Sequence, residues 1–347
     1  AVDRGVAPGA VLLVGYRDRV ILHEAFGTTA PPGRPGSGVP VTHETLFDLA
    51  SLTKVVATAP AIHLLAERGA VDLTAPVSRY LPGFAARGKE RITLAQLLTH
   101  ASGLPPTLST RIDPGRDRTR AVMAAICRLK PRTRPGTQTR YSDLGFILLG
   151  EIIRAATGRC LDAFAREEIF EPLGMRDTRF LPLAADPAIA VRCAATVRAG
   201  RILRGQVQDP TAAAMGGVAG HAGLFGTAGD LARYARMILN GGALDGARLF
   251  RPQTVARMCR VSNASPDHTR TLGWDHSSRF ASPKGEGFGR RSFGHTGWTG
   301  TSIWIDPERE AFVILLANSA SARRARAMKE LRGRVSTLVA RALPVPR

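Results

Sequence analysis

Long apolar runs and closely spaced cysteines are both missing from this sequence. No stretch approaches the roughly 20 apolar residues that a membrane-spanning helix needs, so we expect no membrane span. The chain has only four cysteines, which lie far apart at Cys127, Cys160, Cys193 and Cys259. They show neither C-x-x-C pairs nor metal-ligand spacing. We therefore expect free thiols in the core, with one disulfide left open as an alternative.

Lysine is also scarce. Of the 48 basic residues only five are lysines, and with 28 acidic residues the formal net charge is +20. Such a charge normally indicates that a protein binds nucleic acid or an acidic surface. Here the arginines are spread along the chain instead of forming one patch, and an Arg-over-Lys bias is typical of a GC-rich coding sequence. We expect no nucleic-acid partner, although the cluster at 323–326 stays a candidate for an anionic contact.

Composition and length indicate a globular chain. Hydrophobic residues make up 44% and charged residues 22% of the 347 positions, which is typical of folded proteins and not of disordered or fibrous ones. This length accommodates one large domain or two ordinary ones. No signal peptide is recognised, and a start at Ala1 is typical of a trimmed or processed chain. A periplasmic or secreted location and a cytoplasmic one both stay open.

A serine and a lysine three residues apart are the first candidates for chemistry. The segment FDLASLTK, residues 47–54, predicts the start of a helix on which Ser51 and Lys54 share one face. A serine hydroxyl needs a base to become a nucleophile, and a neutral amine can serve, which a buried, cation-rich site would arrange. The helix N-terminus would favour developing oxyanion charge. The alternative is structural, with Ser51 as a helix cap and Lys54 as a solvated charge.

The remaining pattern predicts strands near both ends of the chain. Residues 9–27 indicate a β-hairpin, and 271–274, 293–307 and 311–318 indicate further strands, the last two forming a second hairpin. Residues 321–343 predict a terminal helix. The helix that begins at Ser51 is expected to end near Gly69, with Pro60 causing a kink or a short first segment. The glycines between 216 and 229 predict irregular backbone rather than a phosphate loop, since no G-K-[ST] accompanies them.

Four short motifs follow one another along the chain. They are SLTK at 51–54, LLTHASGLP at 97–105, YSD at 141–143 and GHTG at 294–297. In this order they resemble the serine β-lactamase and penicillin-binding protein family, most of all class C β-lactamases, D,D-peptidases and related esterases. The resemblance extends over nearly the whole chain, and four ordered motifs are far more specific than any one of them.

The resemblance implies an α+β fold with an antiparallel β-sheet flanked by helices and a mostly helical region inserted into it. Residues 1–72 and 211–347 would form the sheet-and-helix domain, and residues 73–210 the inserted helical domain. The sheet would combine the N-terminal hairpin with the C-terminal strands, between the Ser51 helix and the terminal helix. The site would lie in the cleft where the two domains meet.

Tyr141 and Asp143 resemble the family's Y-x-N element. The resemblance implies that Tyr141 acts together with Lys54 as general acid and base, since a phenol near cations can lose its proton below the usual pKa of about 10. The alternative is an aromatic residue that packs at a helix entry. Asp143 stands where the family usually has asparagine, and an ionised carboxylate cannot donate a hydrogen bond to a substrate amide oxygen. The departure favours an ester, or a substrate with a donor or cation at that point.

His295, Thr296 and Gly297 resemble the family's K-T-G triad, with histidine in place of lysine. Histidine is more often neutral at pH 7, so the anchor for a substrate carboxylate would be weaker. The resemblance further implies that the backbone N–H groups of Ser51 and Trp298 form an oxyanion hole. A polar residue on an edge strand is the alternative for His295.

His221, in the glycine-rich segment, is expected to bond a backbone carbonyl in its own loop more than to border the site.

These residues predict a serine hydrolase that forms an acyl-enzyme on Ser51 and hydrolyses an ester or a β-lactam-like carbonyl substrate, without metal or cofactor. Two alternatives stay open. One is a D,D-peptidase or cell-wall amide hydrolase, and the other is a protein that binds penicillin or cell-wall fragments without turnover. The expected partner is a small-molecule ester, a β-lactam or a cell-wall peptide.

Overall fold

The computed structural model describes residues 1–30, 38–108, 117–180, 186–319 and 324–344. Its strands are β1 (Gly9–Tyr16), β2 (Arg19–Gly27), β3 (Phe47–Asp48), β4 (Arg179–Phe180), β5 (Thr196–Arg198), β6 (Arg201–Leu203), β7 (Leu224–Gly226), β8 (Ala243–Leu244), β9 (Ala247–Arg248), β10 (Phe293–Thr296), β11 (Ser302–Asp306) and β12 (Ala311–Ala317). Its α-helices are α1 (Ala59–Glu67), α2 (Leu94–Leu98), α3 (Arg118–Arg128), α4 (Asp143–Thr157), α5 (Leu161–Ala165), α6 (Pro187–Ala190), α7 (Pro210–Ala214), α8 (Ala228–Leu239), α9 (Pro252–Cys259) and α10 (Ala325–Ala342). Shorter 3₁₀ or π segments are Ala50–Leu52, Lys54–Thr58, Val77–Arg79, Pro82–Phe84, Arg166–Phe170 and Ser282–Lys284.

One five-stranded antiparallel sheet joins the two ends of the chain in the order β10-β11-β12-β1-β2. The predicted hairpins β1–β2 and β11–β12 are confirmed. The prediction of one strand over 293–307 is wrong, since this segment divides into β10 and β11 around a turn at 297–301. The strand expected at 271–274 is also wrong: this segment makes only isolated bridges, because Gly273 has φ 130°, outside the strand region.

Helices cover both faces of this sheet, which confirms the α+β class. Successive strand residues point to opposite faces. Val11 and Ile314 belong to the main core together with Leu231 of α8. Val14 and Val313 belong to a smaller cluster on which Val335 of α10 packs, so the predicted terminal helix does cover the sheet. The helix on the main-core face is therefore α8, whereas the Ser51 turn meets the sheet at its β10 edge.

The helical run that carries Ser51 changes its pitch twice. A 3₁₀ turn over Ala50–Leu52 leads into a π segment over Lys54–Thr58 and then into α1, which ends at Glu67. Pro60 lies in the first turn of α1, where its missing N–H costs no hydrogen bond, so the run has a short first segment. Gly69, at φ 74°, follows its end as predicted.

Several other predictions have mixed outcomes. All four cysteines are free, but Cys160 is exposed and only Cys193 is fully buried, so the predicted core position is wrong for Cys160.

The glycine-rich segment is largely irregular, although β7 forms within it and pairs with β3 and β4. Within the described residues, no helix combines the length and apolarity needed to cross a membrane. The division into two domains stays a prediction. Residues 31–37, and residues 320–323 at the start of the predicted terminal helix and of the basic cluster, lie outside the described residues.

A buried carboxylate holds the turn that leads to Ser51. Asp48 Oδ1 accepts a hydrogen bond from the Ala50 N–H at 2.8 Å, and Oδ2 accepts one from the Gln208 N–H at 2.6 Å. Ala50 has φ 47°, a conformation that is unfavourable for a residue with a side chain. Burial raises the pKa of Asp48 to about 6, although the two backbone N–H groups act in the opposite direction.

We expect Asp48→Asn to change the pH dependence of stability. Because the folded protein binds the Asp48 proton more tightly than the unfolded chain, this carboxyl makes the free energy of unfolding fall as pH rises towards about 6. The wild type should therefore lose about 2 to 3 kcal/mol relative to the variant between pH 4 and pH 7. Urea unfolding of both proteins at the two pH values measures this difference. A difference that is constant with pH would contradict the assignment.

Candidate active site

Lys54 and Ser51 are held together in the interior. Lys54 is 0% exposed, and its Nζ lies 2.9 Å from Ser51 Oγ, 2.8 Å from Asp143 Oδ1 and 3.1 Å from the His221 carbonyl oxygen. An ammonium has three N–H donors, and these three acceptors, with the Tyr141 hydroxyl beside them, are enough to pair all of them. The alternative of a solvated lysine is therefore excluded, and the Ser51 side chain caps no helix.

The charge of Asp143 keeps Lys54 protonated. Burial lowers the pKa of Lys54, but the charge of Asp143, together with hydrogen bonds to Asp143 and Tyr141, outweighs this effect, so the pKa lies above its ordinary value. The expectation of a neutral amine in the resting site is therefore wrong. The physical reason is the carboxylate at position 143, which pairs with Lys54. Lys54 must first lose a proton before it can accept one from Ser51.

Tyr141 lies beside both groups, just before α4. It shares hydrogen bonds with Lys54 and Ser51, and Lys54 Nζ lies 5.0 Å from the centre of its ring. Burial raises the pKa of Tyr141, and the Lys54 charge offsets only part of this effect. The expectation of a lowered phenol pKa is therefore wrong, because burial and the nearby Asp143 carboxylate both disfavour the phenolate. Tyr141 is a neutral phenol next to the serine.

His295 reaches the site from β10, the edge strand of the sheet. Its Nδ1 donates to the Thr296 carbonyl oxygen at 2.9 Å, which leaves the lone pair on Nε2. Burial, together with the charges of Lys54 and Arg270, holds the pKa of His295 well below its usual range. The ring is thus neutral at pH 7, as expected for a histidine in place of lysine.

The turn after β10 lies directly against the Ser51 turn. A Cβ on Gly297 would collide with the Leu49 carbonyl oxygen and the Thr301 hydroxyl, so only glycine allows this approach. Thr299 Oγ1 donates to the Asp48 carbonyl at 2.6 Å. Within the described residues, the Trp298 N–H donates to no other group. A free backbone donor therefore lies at the loop that contacts the serine turn, and the Trp298 side chain is 54% exposed.

His221 has a different partner from the expected one. Its ring Nε2 lies 2.8 Å from Asp209 Oδ1, not from a backbone carbonyl in its own loop. Burial raises the pKa of Asp209, but the charges of His221 and Lys54 and several hydrogen bonds outweigh it, so the pKa lies below its usual range. The Asp209–His221 pair thus supports the backbone carbonyl that accepts from Lys54.

Two buried side chains at the site had no role in the sequence analysis. The ring of His100 lies against that of Tyr141, tilted by 34° with centroids 4.4 Å apart, and its Nδ1 accepts from the Ser142 N–H at 3.1 Å. The guanidinium carbon of Arg270 lies 5.6 Å from the Tyr141 ring centre, and Nη2 lies 3.3 Å from Asp275 Oδ2. His100 lies within the LLTHASGLP motif, which could have identified it. Arg270 lies outside every motif, so no sequence signal marks it.

One cavity of about 630 Å³ brings these groups together. Lys54 lies behind it, and the other predicted site residues line it: Ser51, Tyr141, Asp143, His295, Thr296, Gly297 and Trp298. Leu108 and Phe280 add apolar wall. Across the described ranges, no group of three or more His, Cys, Asp or Glu side chains could hold a metal ion. The arrangement can support acyl transfer to a serine with a lysine and a phenol as proton carriers.

Comparison with known proteins places this geometry in a family. The family model described as Beta-lactamase matches residues 1–336. A protein of Salmonella paratyphi B named "Putative D-alanyl-D-alanine carboxypeptidase" is 33% identical, over 91% of this chain and 80% of that protein.

Solved structures share the fold at lower identity. A class C β-lactamase from Rhodobacter sphaeroides is 22% identical over 96% of both chains, with a TM-score of 0.72. A family VIII carboxylesterase is 22% identical over 96% of this chain and 94% of its own, with a TM-score of 0.71. Since the family model spans almost the whole sequence, this chain belongs to the beta-lactamase family of hydrolases.

Proposed function

We propose that the protein is a serine hydrolase in which Ser51 attacks a carbonyl carbon and forms an acyl-enzyme that water then hydrolyses. The observation that carries this proposal is the 2.9 Å contact between Ser51 Oγ and the buried Nζ of Lys54, at the wall of a cavity. A buried lysine beside a serine hydroxyl is costly unless the pair has a task, which favours chemistry over packing.

The hydrogen bonds around Lys54 support a proton path. A neutral amine has two N–H groups and one lone pair, so it can donate to His221 and Asp143 while its lone pair faces Ser51. Lys54 then takes the Ser51 proton as the new Oγ–C bond forms. Tyr141 then donates its phenol proton to the leaving group as the bond from that group to the carbonyl carbon breaks, and Lys54 passes the proton taken from Ser51 to the Tyr141 oxygen. In deacylation, water attacks the acyl carbon and passes a proton through Tyr141 to Lys54. Lys54 returns a proton to Ser51 Oγ as the Oγ–C bond breaks.

Backbone donors are proposed to hold the oxyanion. The N–H groups of Ser51 and Trp298 would bind the negative oxygen of the tetrahedral intermediate, and they cost no reorganisation because their turns are fixed. The Asp48 carboxylate fixes one turn, and the contact of Gly297 with Leu49 fixes the other.

An ester is the substrate class that the site favours. Asp143 is paired with Lys54 and cannot donate a hydrogen bond to an amide oxygen, and His295 is neutral and so a weak anchor for a carboxylate. The apolar walls at Leu108 and Phe280 suit an uncharged acyl or alcohol group. A D,D-carboxypeptidase is the second candidate, supported by the name of the Salmonella relative.

We expect the wild type to hydrolyse a short-chain p-nitrophenyl ester and Ser51→Ala to lose this turnover by roughly 10³-fold or more, because the nucleophile is gone. Steady-state rates are compared with those on a chromogenic cephalosporin and a peptide that ends in D-Ala-D-Ala. Ser78→Ala, the same change outside the cavity, is the matched control and should keep full activity.

Each other outcome selects another function. Preference for the peptide over the ester would favour the D,D-carboxypeptidase. One equivalent of product without turnover would identify a binder. Rapid hydrolysis of the cephalosporin would contradict the argument from Asp143 and His295.

The pH dependence tests the role of Asp143. If deprotonation of Lys54 limits acylation, kcat/KM rises with pH through the pKa of Lys54, which Asp143 raises. Asp143→Asn removes that charge, so the rising limb should move to lower pH. The added N–H donor should also increase the ratio of kcat/KM for the cephalosporin to that for the ester.

Asp162→Asn, the same change on α5 and outside the cavity, should leave both quantities unaltered. A pH profile of Asp143→Asn that superimposes on the wild type would show that the Asp143–Lys54 pair does not control the base.

A further inference from the structure

Arg332 is a buried charge in the middle of α10. It lies on the buried face of this helix with Met328, Ser336 and Ala340, at a spacing of four residues. Its side chain is 8% exposed, and burial alone lowers its pKa to about 10, so it stays a cation at pH 7. No ion pair joins Arg332 to a carboxylate of the described residues. A desolvated charge without a counter-charge destabilises a fold, so this residue needs another explanation.

Both hydrogen bonds of Arg332 go to the turn between β10 and β11. Its Nη2 donates to the Gly297 carbonyl oxygen at 2.6 Å and to the Thr301 carbonyl oxygen at 2.8 Å. These are the first and last residues of the turn, which also closes through the Gly297 N–H to the same Thr301 carbonyl at 2.8 Å. One guanidinium nitrogen therefore fixes both ends of the loop that carries Trp298.

The Gly297 carbonyl and the Trp298 N–H belong to the same peptide group. This peptide is trans, so its C=O and N–H point in opposite directions. The guanidinium of α10 holds the carbonyl on one side, which directs the N–H to the other side. Gly297 itself lies against Leu49 and Ala50, the residues just before Ser51, so this peptide adjoins the Ser51 turn.

The charge has a second effect on the same peptide. A cation that binds the carbonyl oxygen polarises the amide and strengthens its N–H as a donor, and the low-dielectric surroundings enlarge this effect. The threonines of the turn bond it to the Ser51 turn, since Thr299 donates to the Asp48 carbonyl and Thr301 to the Leu49 carbonyl.

We propose that Arg332 is a positioning residue that orients and polarises the 297–298 peptide, so that the Trp298 N–H donates to the oxyanion formed at Ser51. This inference rests on the proposed serine hydrolase. It explains why an unpaired cation is buried in α10, beside the cavity, at a cost to the stability of the fold.

Arg332→Met tests the proposal, because methionine keeps an unbranched apolar stem and removes the donors and the charge. With a p-nitrophenyl ester, kcat should fall by about 10- to 100-fold, less than the roughly 10²- to 10³-fold lost when an oxyanion donor is deleted, and KM should change little. The melting temperature should stay equal or rise. Arg332→Lys keeps the charge and should recover part of kcat. Arg334→Met, on the exposed side of the same helix, is the matched control.

A second readout separates oxyanion stabilisation from general structural damage. Sulfur is a poor acceptor for an oxyanion hole, so the wild type should prefer the oxygen ester over the matching thiono ester, and Arg332→Met should reduce that preference by at least several-fold. The inhibition constant of a small boronic acid, whose adduct on Ser51 places an oxygen in the hole, should rise in the same variant.

Three outcomes would overturn the inference: unchanged kcat, an equal loss for both esters, or a loss that follows a drop in melting temperature. The failure of the proposed function has a different signature. In that case the wild type itself would be inactive or Ser51→Ala would retain activity, and the inference about Arg332 would fall with it.

Discussion

The buried ammonium of Lys54 is the constraint on which the rest of the site depends. A lysine without solvent must have every N–H paired, and its acceptors here come from three separate segments: Ser51 on its own turn, Asp143 at the start of α4 and the His221 carbonyl in the glycine-rich segment. Satisfying one charge therefore draws three segments of the chain together. The Asp209–His221 pair and the close passage of Gly220 by α4 lie next to the His221 carbonyl in the same segment.

The protonation balance follows from this convergence. A carboxylate at position 143 pairs with Lys54 and favours the ammonium, while burial keeps Tyr141 and His295 neutral. The resting site thus combines a charged amine, a neutral phenol and a neutral imidazole. A neutral asparagine at 143 would leave Lys54 less strongly protonated. One residue consequently holds the charge on Lys54 and, as a carboxylate, offers only hydrogen-bond acceptors to the cavity.

The edge of the sheet supplies the rigid half of the site. β10 ends in a turn that touches the Ser51 turn through Gly297 and is bonded to it by two threonine hydroxyls. α10 covers the opposite side of the same turn with Arg332. Buried charges therefore lie close to both turns, Lys54 beside Ser51 and Arg332 beside Gly297. Both cost stability, which is the pattern expected where a fold serves chemistry.

The sequence by itself determined the local features. β-rich segments around short polar turns predicted the β1–β2 and β11–β12 hairpins, the S-x-x-K spacing placed Ser51 and Lys54 on one helical face, and four ordered motifs identified the family. Only the tertiary structure decided the protonation of Lys54 and Tyr141, the partner of His221, the break between β10 and β11, and the contacts of Arg270 and Arg332. Local spacing follows from backbone geometry, whereas a pKa and a buried contact depend on charges and burial from segments far apart in the chain.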